Sequence, residues 1–133
     1  MEPEVKMKRL ILFGTSCFLL NVVNAQELST ARYVGAMEGA VQACISAFPE
    51  KTAIYSDTLY RSVKCHFTES EFHQWHDKLR NQMPHREQYS KGYAEGKKSL
   101  SDYPANRKRE CASLETIACD PNGDPRRDWD FDK

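Results

Sequence analysis

Tyr33-Val34-Gly35-Ala36-Met37-Glu38-Gly39-Ala40-Val41-Gln42-Ala43-Cys44 is the stretch that decides the fold. Its apolar residues Tyr33, Val34, Met37, Val41 and Cys44, continued by Phe48, recur at three and four, the repeat of one helix face turned toward a core. Ser29 or Thr30 supplies a capping side chain ahead of it and Pro49 ends it, so a helix over about 30–48 is predicted. Within it, Gly35-Ala36-Met37-Glu38-Gly39 has a second copy downstream, Gly92-Tyr93-Ala94-Glu95-Gly96. A glycine inside a helix costs about 1 kcal/mol relative to alanine, so four imply a compensating gain of about 4 kcal/mol if the effects add. Close backbone approach is the gain that glycine alone permits. The expectation is that the helices carrying Gly35 and Gly39 and carrying Gly92 and Gly96 cross with these faces together.

Outward from this stretch the pattern stays helical. Tyr55, Leu59 and Val63 at spacings of four predict a second helix between Pro49 and Val63. Alternation through Val63, Cys65 and Phe67 leaves a short extended piece around Cys65 as the other reading. Thr68-Glu69-Ser70-Glu71 is a capping box, in which the threonine oxygen accepts from the Glu71 amide and the Glu71 carboxylate accepts from that of Thr68. Phe67 and Phe72 flank it at staple positions. The third helix that starts there has Phe72, Trp75, Leu79 and Met83 on its inward face and stops at Pro84. A fourth follows over 85–100 with Tyr89, Tyr93 and Leu100 inward. Tyr103-Pro104 breaks the chain before a fifth over 104–118, on which Cys111, Leu114 and Ile117 lie together. The turn-rich run from Asp120 to Pro125 and the acidic residues after it read as a loose tail.

Location is read from the first 25 residues. Lys6, Lys8 and Arg9 precede an apolar stretch from Leu10 to Val23, and Val23-Asn24-Ala25 puts small residues where a signal peptidase cuts. Gly14, Thr15, Ser16 and Asn21 interrupt the stretch, which falls short of the roughly 20 apolar residues of a membrane span. The organisation expected is a cleaved signal peptide over 1–25, a helical domain over 26–119 and a flexible tail over 120–133. The destination is the periplasm or the exterior.

Of the five cysteines, Cys17 falls within the signal, leaving Cys44, Cys65, Cys111 and Cys119. An even number in an oxidising compartment predicts two disulfides. Spacing leaves three pairings open. Cys44 with Cys111 is preferred because both lie on core faces of long helices, and Cys65 with Cys119, each at a helix end, is what remains. The fold class expected is therefore all-α, a small bundle of four to five helices stapled by two disulfides.

Charge narrows the function. From Gln26 onward, 16 of the 19 basic residues face 17 of the 19 acidic ones. Such a neutral chain has no basic stripe for a phosphate backbone, so nucleic acid is not an expected partner. The sequence has no C-x-x-C, no C-x-x-C-H, no nucleophile elbow and no phosphate or dinucleotide glycine loop, and no cofactor or enzyme activity is expected. Glu38 and Glu95 occupy equivalent places in the two glycine patterns and would face each other as an acid and base pair only if their helices brought them together. Asp120, Asn122 and Asp124 copy the start of a calcium loop, but Pro125 stands where that loop needs glycine. Glu69, His73 and His76, four and three apart on the third helix, are the candidate metal ligands.

The function expected is that of a non-enzymatic exported protein acting on another protein, such as an immunity or inhibitor protein or an accessory of a secretion or conjugation system. The helix order and the Tyr33-to-Gly39 segment resemble exported helical immunity proteins over too few residues to define a family. A periplasmic metal-binding or stress-related protein using Glu69, His73 and His76 is the alternative.

Overall fold

The computed structural model describes residues 24–129; the apolar stretch through Val23, Cys17 and the last residues 130–133 lie outside it. The described residues form helices and the turns that join and follow them, with no strand. Its elements are α1 (Ala25–Ala47), a 3-10 turn (Pro49–Lys51), α2 (Thr52–Ser56), α3 (Thr58–Val63), a second 3-10 turn (Lys64–His66), α4 (Glu69–Asn81), α5 (His85–Asp102) and α6 (Pro104–Thr116). Two disulfides, Cys44–Cys111 and Cys65–Cys119, join them, with Cα atoms 5.7 and 5.9 Å apart. The all-α fold and the preferred cysteine pairing are both as expected.

α1 begins earlier than its sequence suggests. Asn24 is the cap, its side chain accepting from the Gln26 amide at 2.8 Å, and Ser29 and Thr30 are buried inside the helix. Their hydroxyls made them cap candidates, but Thr30 uses its hydroxyl on the Trp129 carbonyl, 2.5 Å away across the fold. Further corrections concern element ends. Cys65 lies in a 3-10 turn, not in an extended piece, and the second helix is broken at Asp57. α4 ends at Asn81 with Gln82 extended, so helical spacing no longer governs Met83, which is 67% exposed.

α1 and α5 form the central pair. A Cβ on Gly35 would run into the Tyr89 carbonyl oxygen, and one on Gly39 into that of Tyr93; reciprocally, Gly92 faces the Arg32 carbonyl and Gly96 that of Ala36. The backbones touch where side chains would otherwise hold two helices 8–10 Å apart. Around this pair lie two core clusters. One gathers Val34, Met37, Leu59, Val63, Phe72 and Leu79; the other surrounds the Cys44–Cys111 bridge with Val41, Tyr55 and Leu100. Burial of such side chains from water, at roughly 1.5–3 kcal/mol for each large aliphatic or aromatic one, is the main drive to assemble them.

Arg61 on α3 fastens the end of α6. Its Nη1 donates to the carbonyls of Glu115 and Ile117 at 3.2 and 2.9 Å, and its Nη2 to those of Ile54 and Leu114 at 2.8 and 3.1 Å. The last carbonyls of a helix lack intrahelical donors, and α6 has no basic residue in its own last turn. A guanidinium from another element fills that role.

The expected loose tail does not hold for residues 120–129. Pro125 is fully buried, Trp129 packs edge-on against Tyr33 and Trp75 at 5.0 and 6.5 Å between ring centroids, and Arg126 lies 4.6 Å over the Phe67 ring. Turn residues gave that segment its loose reading; two aromatic contacts and a cation over a ring decide otherwise.

Candidate functional site

The capping box forms as drawn from the sequence: Thr68 Oγ1 accepts from the Glu71 amide at 3.2 Å and Glu71 Oε1 accepts from that of Thr68 at 2.8 Å. It fixes the start of α4, and with it the face that carries Glu69, Phe72, His73 and His76. Phe67 stacks on Trp75 and Phe72 meets Tyr60, both with centroids 5.0 Å apart. Together they set α4 against α3 and α1, leaving an open groove of about 510 Å³ between them. Carboxylates Glu38, Asp57 and Glu69, the imidazoles of His73 and His76, and the Tyr60 and Phe72 rings line it.

Glu38 is the innermost of these carboxylates. His76 Nε2 donates to its Oε1 at 2.6 Å and the Tyr89 hydroxyl donates to the same oxygen at 2.8 Å. The second bond exists because of the glycine seam, since the approach of α5 to α1 at Gly35 brings Tyr89 within reach of the next turn. Burial alone would raise the Glu38 carboxyl, but the hydrogen bond and charge of His76, the Tyr89 hydroxyl and the charge of Arg80 outweigh it and hold the group below its ordinary 4.5. Burial, then the Glu38 charge and hydrogen bond, push the Tyr89 phenol up. Both groups are thereby kept in the states that bond to each other, an anion and a neutral donor.

The other expected constellations are dispersed. Glu95 pairs with Arg32 at 2.5 Å, so the Glu38 and Glu95 carboxylates serve different partners. His73 Nε2 stands 3.8 Å from Glu69 Oε1 on the exposed surface, while His76 turns inward to Glu38. The ligand atoms of Glu69, His73 and His76 therefore do not converge. Asp120 Oδ1 accepts from the Asn122 amide and Asp124 Oδ1 from that of Arg126, each at 2.9 Å, and the Arg126 guanidinium closes on Asp124. Those carboxylates shape a turn.

Two arrangements went unread in the sequence. One is the His76–Glu38–Tyr89 triplet, whose members lie on three helices with nothing local to connect them. The other is the grouping of Cys65, His66 and Cys119, the one set of three His, Cys or acidic residues among those described whose ligand atoms lie within 4.8 Å of one another. The adjacency of His66 to a cysteine was its available signal.

Comparison with known proteins gives no match to a family model, to a curated protein or to a solved structure. The groove sets its carboxylates beside the Tyr60 and Phe72 rings, a setting that suits a cationic group.

Proposed function

We propose that this chain is an exported, non-enzymatic protein that works by binding another protein outside the cytoplasm, as an immunity or inhibitor protein or as an accessory of a secretion or conjugation apparatus does. The observation that carries the reading is the pair of disulfides joining distant parts of so small a domain, a construction suited to an oxidising compartment. Supporting it, no described helix is long and apolar enough to cross a membrane. The near balance of charge after Gln26 favours a protein partner over a polyanion. The groove with three carboxylates and two aromatic rings supplies a surface for a basic side chain of such a partner.

The test has two parts. Mass spectrometry of the chain from its native source is expected to show cleavage before Gln26 and no free thiol. Cross-linking in the same compartment is expected to join one protein to residues around the groove at one copy per chain. An intact N-terminus with Cys44, Cys65, Cys111 and Cys119 all free removes the export reading. A cleaved, oxidised chain that yields no cross-linked protein removes the binding reading.

A further inference from the structure

We propose that Cys65, His66 and Cys119 form, once the bridge between the two cysteines is reduced, a binding site for a thiophilic divalent cation of the zinc class. The site is separate from the groove and from Glu69, His73 and His76, and independent of the protein-binding reading.

Two sulfurs and one imidazole nitrogen within 4.8 Å of each other are the donor set and the span of a tetrahedral zinc site that keeps one position for water. Their surroundings suit the reduced state. The His66 Nε2 lies 2.7 Å from the Asp120 carbonyl oxygen. A carbonyl only accepts, so Nε2 donates in this bond, the contact by which backbone carbonyls orient metal-bound histidines. The Cys65 amide donates to Cys119 Sγ at 3.2 Å, a bond that strengthens as sulfur becomes a thiolate.

Placement of the three residues does not rest on the disulfide alone. Arg61 grips the Ile117 carbonyl two residues before Cys119. Arg126 Nη2 donates to the His66 carbonyl at 3.0 Å, and Pro125 is buried beyond it. The two segments stay facing each other when the sulfur–sulfur bond opens, so the ligands are held before the ion arrives. Access differs sharply between the two bridges. Cys65 is exposed, whereas Cys44 and Cys111 are 0% and 1% exposed. A small dithiol reaches the outer bridge first.

The chemistry balances. A dithiol supplies two electrons and two protons, its own sulfurs closing to a disulfide while the Cys65–Cys119 bond breaks to two thiols. The cation then forms two metal–sulfur bonds and one metal–nitrogen bond, and the two thiol protons leave to solvent. Disulfide and metal are thus alternative occupants of one position, each tying residue 65 to residue 119.

The test uses the full chain treated with a dithiol under non-denaturing conditions and desalted without oxygen. Alkylation mapping is expected to find Cys65 and Cys119 free and Cys44 and Cys111 bridged. Zn²⁺ is then expected to bind at one ion per chain and to shield both thiols, and Co²⁺ to give thiolate charge-transfer absorption. His66→Ala, which retains both disulfides, is expected to weaken binding at least about tenfold in its reduced form. Should the dithiol open both bridges, a Cys44→Val/Cys111→Ala chain shown to be folded by circular dichroism gives the same readout. A folded chain with Cys65 and Cys119 free that takes up no Zn²⁺ overturns the proposal. So does equal uptake by the oxidised chain, or unchanged affinity in His66→Ala.

Discussion

Glu38 is a half-buried carboxylate with two donors, His76 Nε2 and the Tyr89 hydroxyl, on one oxygen, and its energetics follow from that. Glu38→Gln keeps the shape but replaces the charge, and hydrogen bonds to charged groups contribute about 1.5–3 kcal/mol. A loss of about 2 kcal/mol is expected in urea unfolding of the variant. The pH dependence has a definite sign. The folded-state pKa lies below the ordinary 4.5, so the stabilisation is complete above 4.5 and drains away as pH falls through the folded value. The unfolding midpoint of the native chain should drop below pH 4.5 more steeply than that of Glu38→Gln. Arg61 gives a second prediction. Lysine keeps the charge but lacks the planar fork that reaches four carbonyls from one position. Arg61→Lys is expected to cost about 2 kcal/mol and to speed amide exchange at the end of α6. Arg61 was not legible as important, and Glu38 stood out only for its place in the glycine pattern opposite Glu95, not for the partners it has. Periodicity reports apolar faces, whereas both act through polar bonds to elements far along the chain.

At the scale of elements, the glycine repeat is the feature that could be read in advance and the seam it forms is the clearest object in the structure. A methyl at Gly39 meets the Tyr93 backbone, which cannot rotate aside, while alanine in a helix gains about 1 kcal/mol in propensity. The clash is expected to dominate. Gly39→Ala should lose about 1–3 kcal/mol net in chemical denaturation, as overpacked positions do. Gly123→Ala is the control, because its new methyl meets a side-chain oxygen of Asp120 at 3.2 Å and that chain can shift; a change within about 0.5 kcal/mol is expected. Helix existence and helix ends differed in how well they could be read. The capping box at Thr68 was complete in four consecutive residues and appears as written. The start of α1 was missed because two hydroxyl residues competed with Asn24, and only tertiary contact reveals that one of them is engaged elsewhere. Met83 was assigned inward by counting on past the point where the helix stops.

For the molecule as a whole, the two bridges close loops of 67 and 54 residues. In the chain-entropy model each contributes about 4 kcal/mol, less any strain. Graded reduction is expected to proceed in two steps, the outer bridge opening first with the fold retained and the inner one only with unfolding, as followed by alkylation and circular dichroism together. A single step with both pairs lost at once would show that they are one cooperative unit. The pairing could be anticipated because both members of the inner pair sit on core faces of long helices. The packing of residues 120–129 could not, since proline, glycine and aspartate signal a turn without saying what the turn lies on.

Thr30 and Tyr33 near the start of α1 are closed over by Pro125 and Trp129, a separation of 99 residues for the Thr30–Trp129 bond. During synthesis the opening helix therefore emerges with its partners still unmade: α5 comes some fifty residues later and the covering tryptophan last. A ribosome-bound chain of this kind stays open over Thr30 and Tyr33 until residues 125–129 have been made. In that condition a polypeptide can still be passed through a narrow pore, and the finished molecule, once its far end has folded back, cannot.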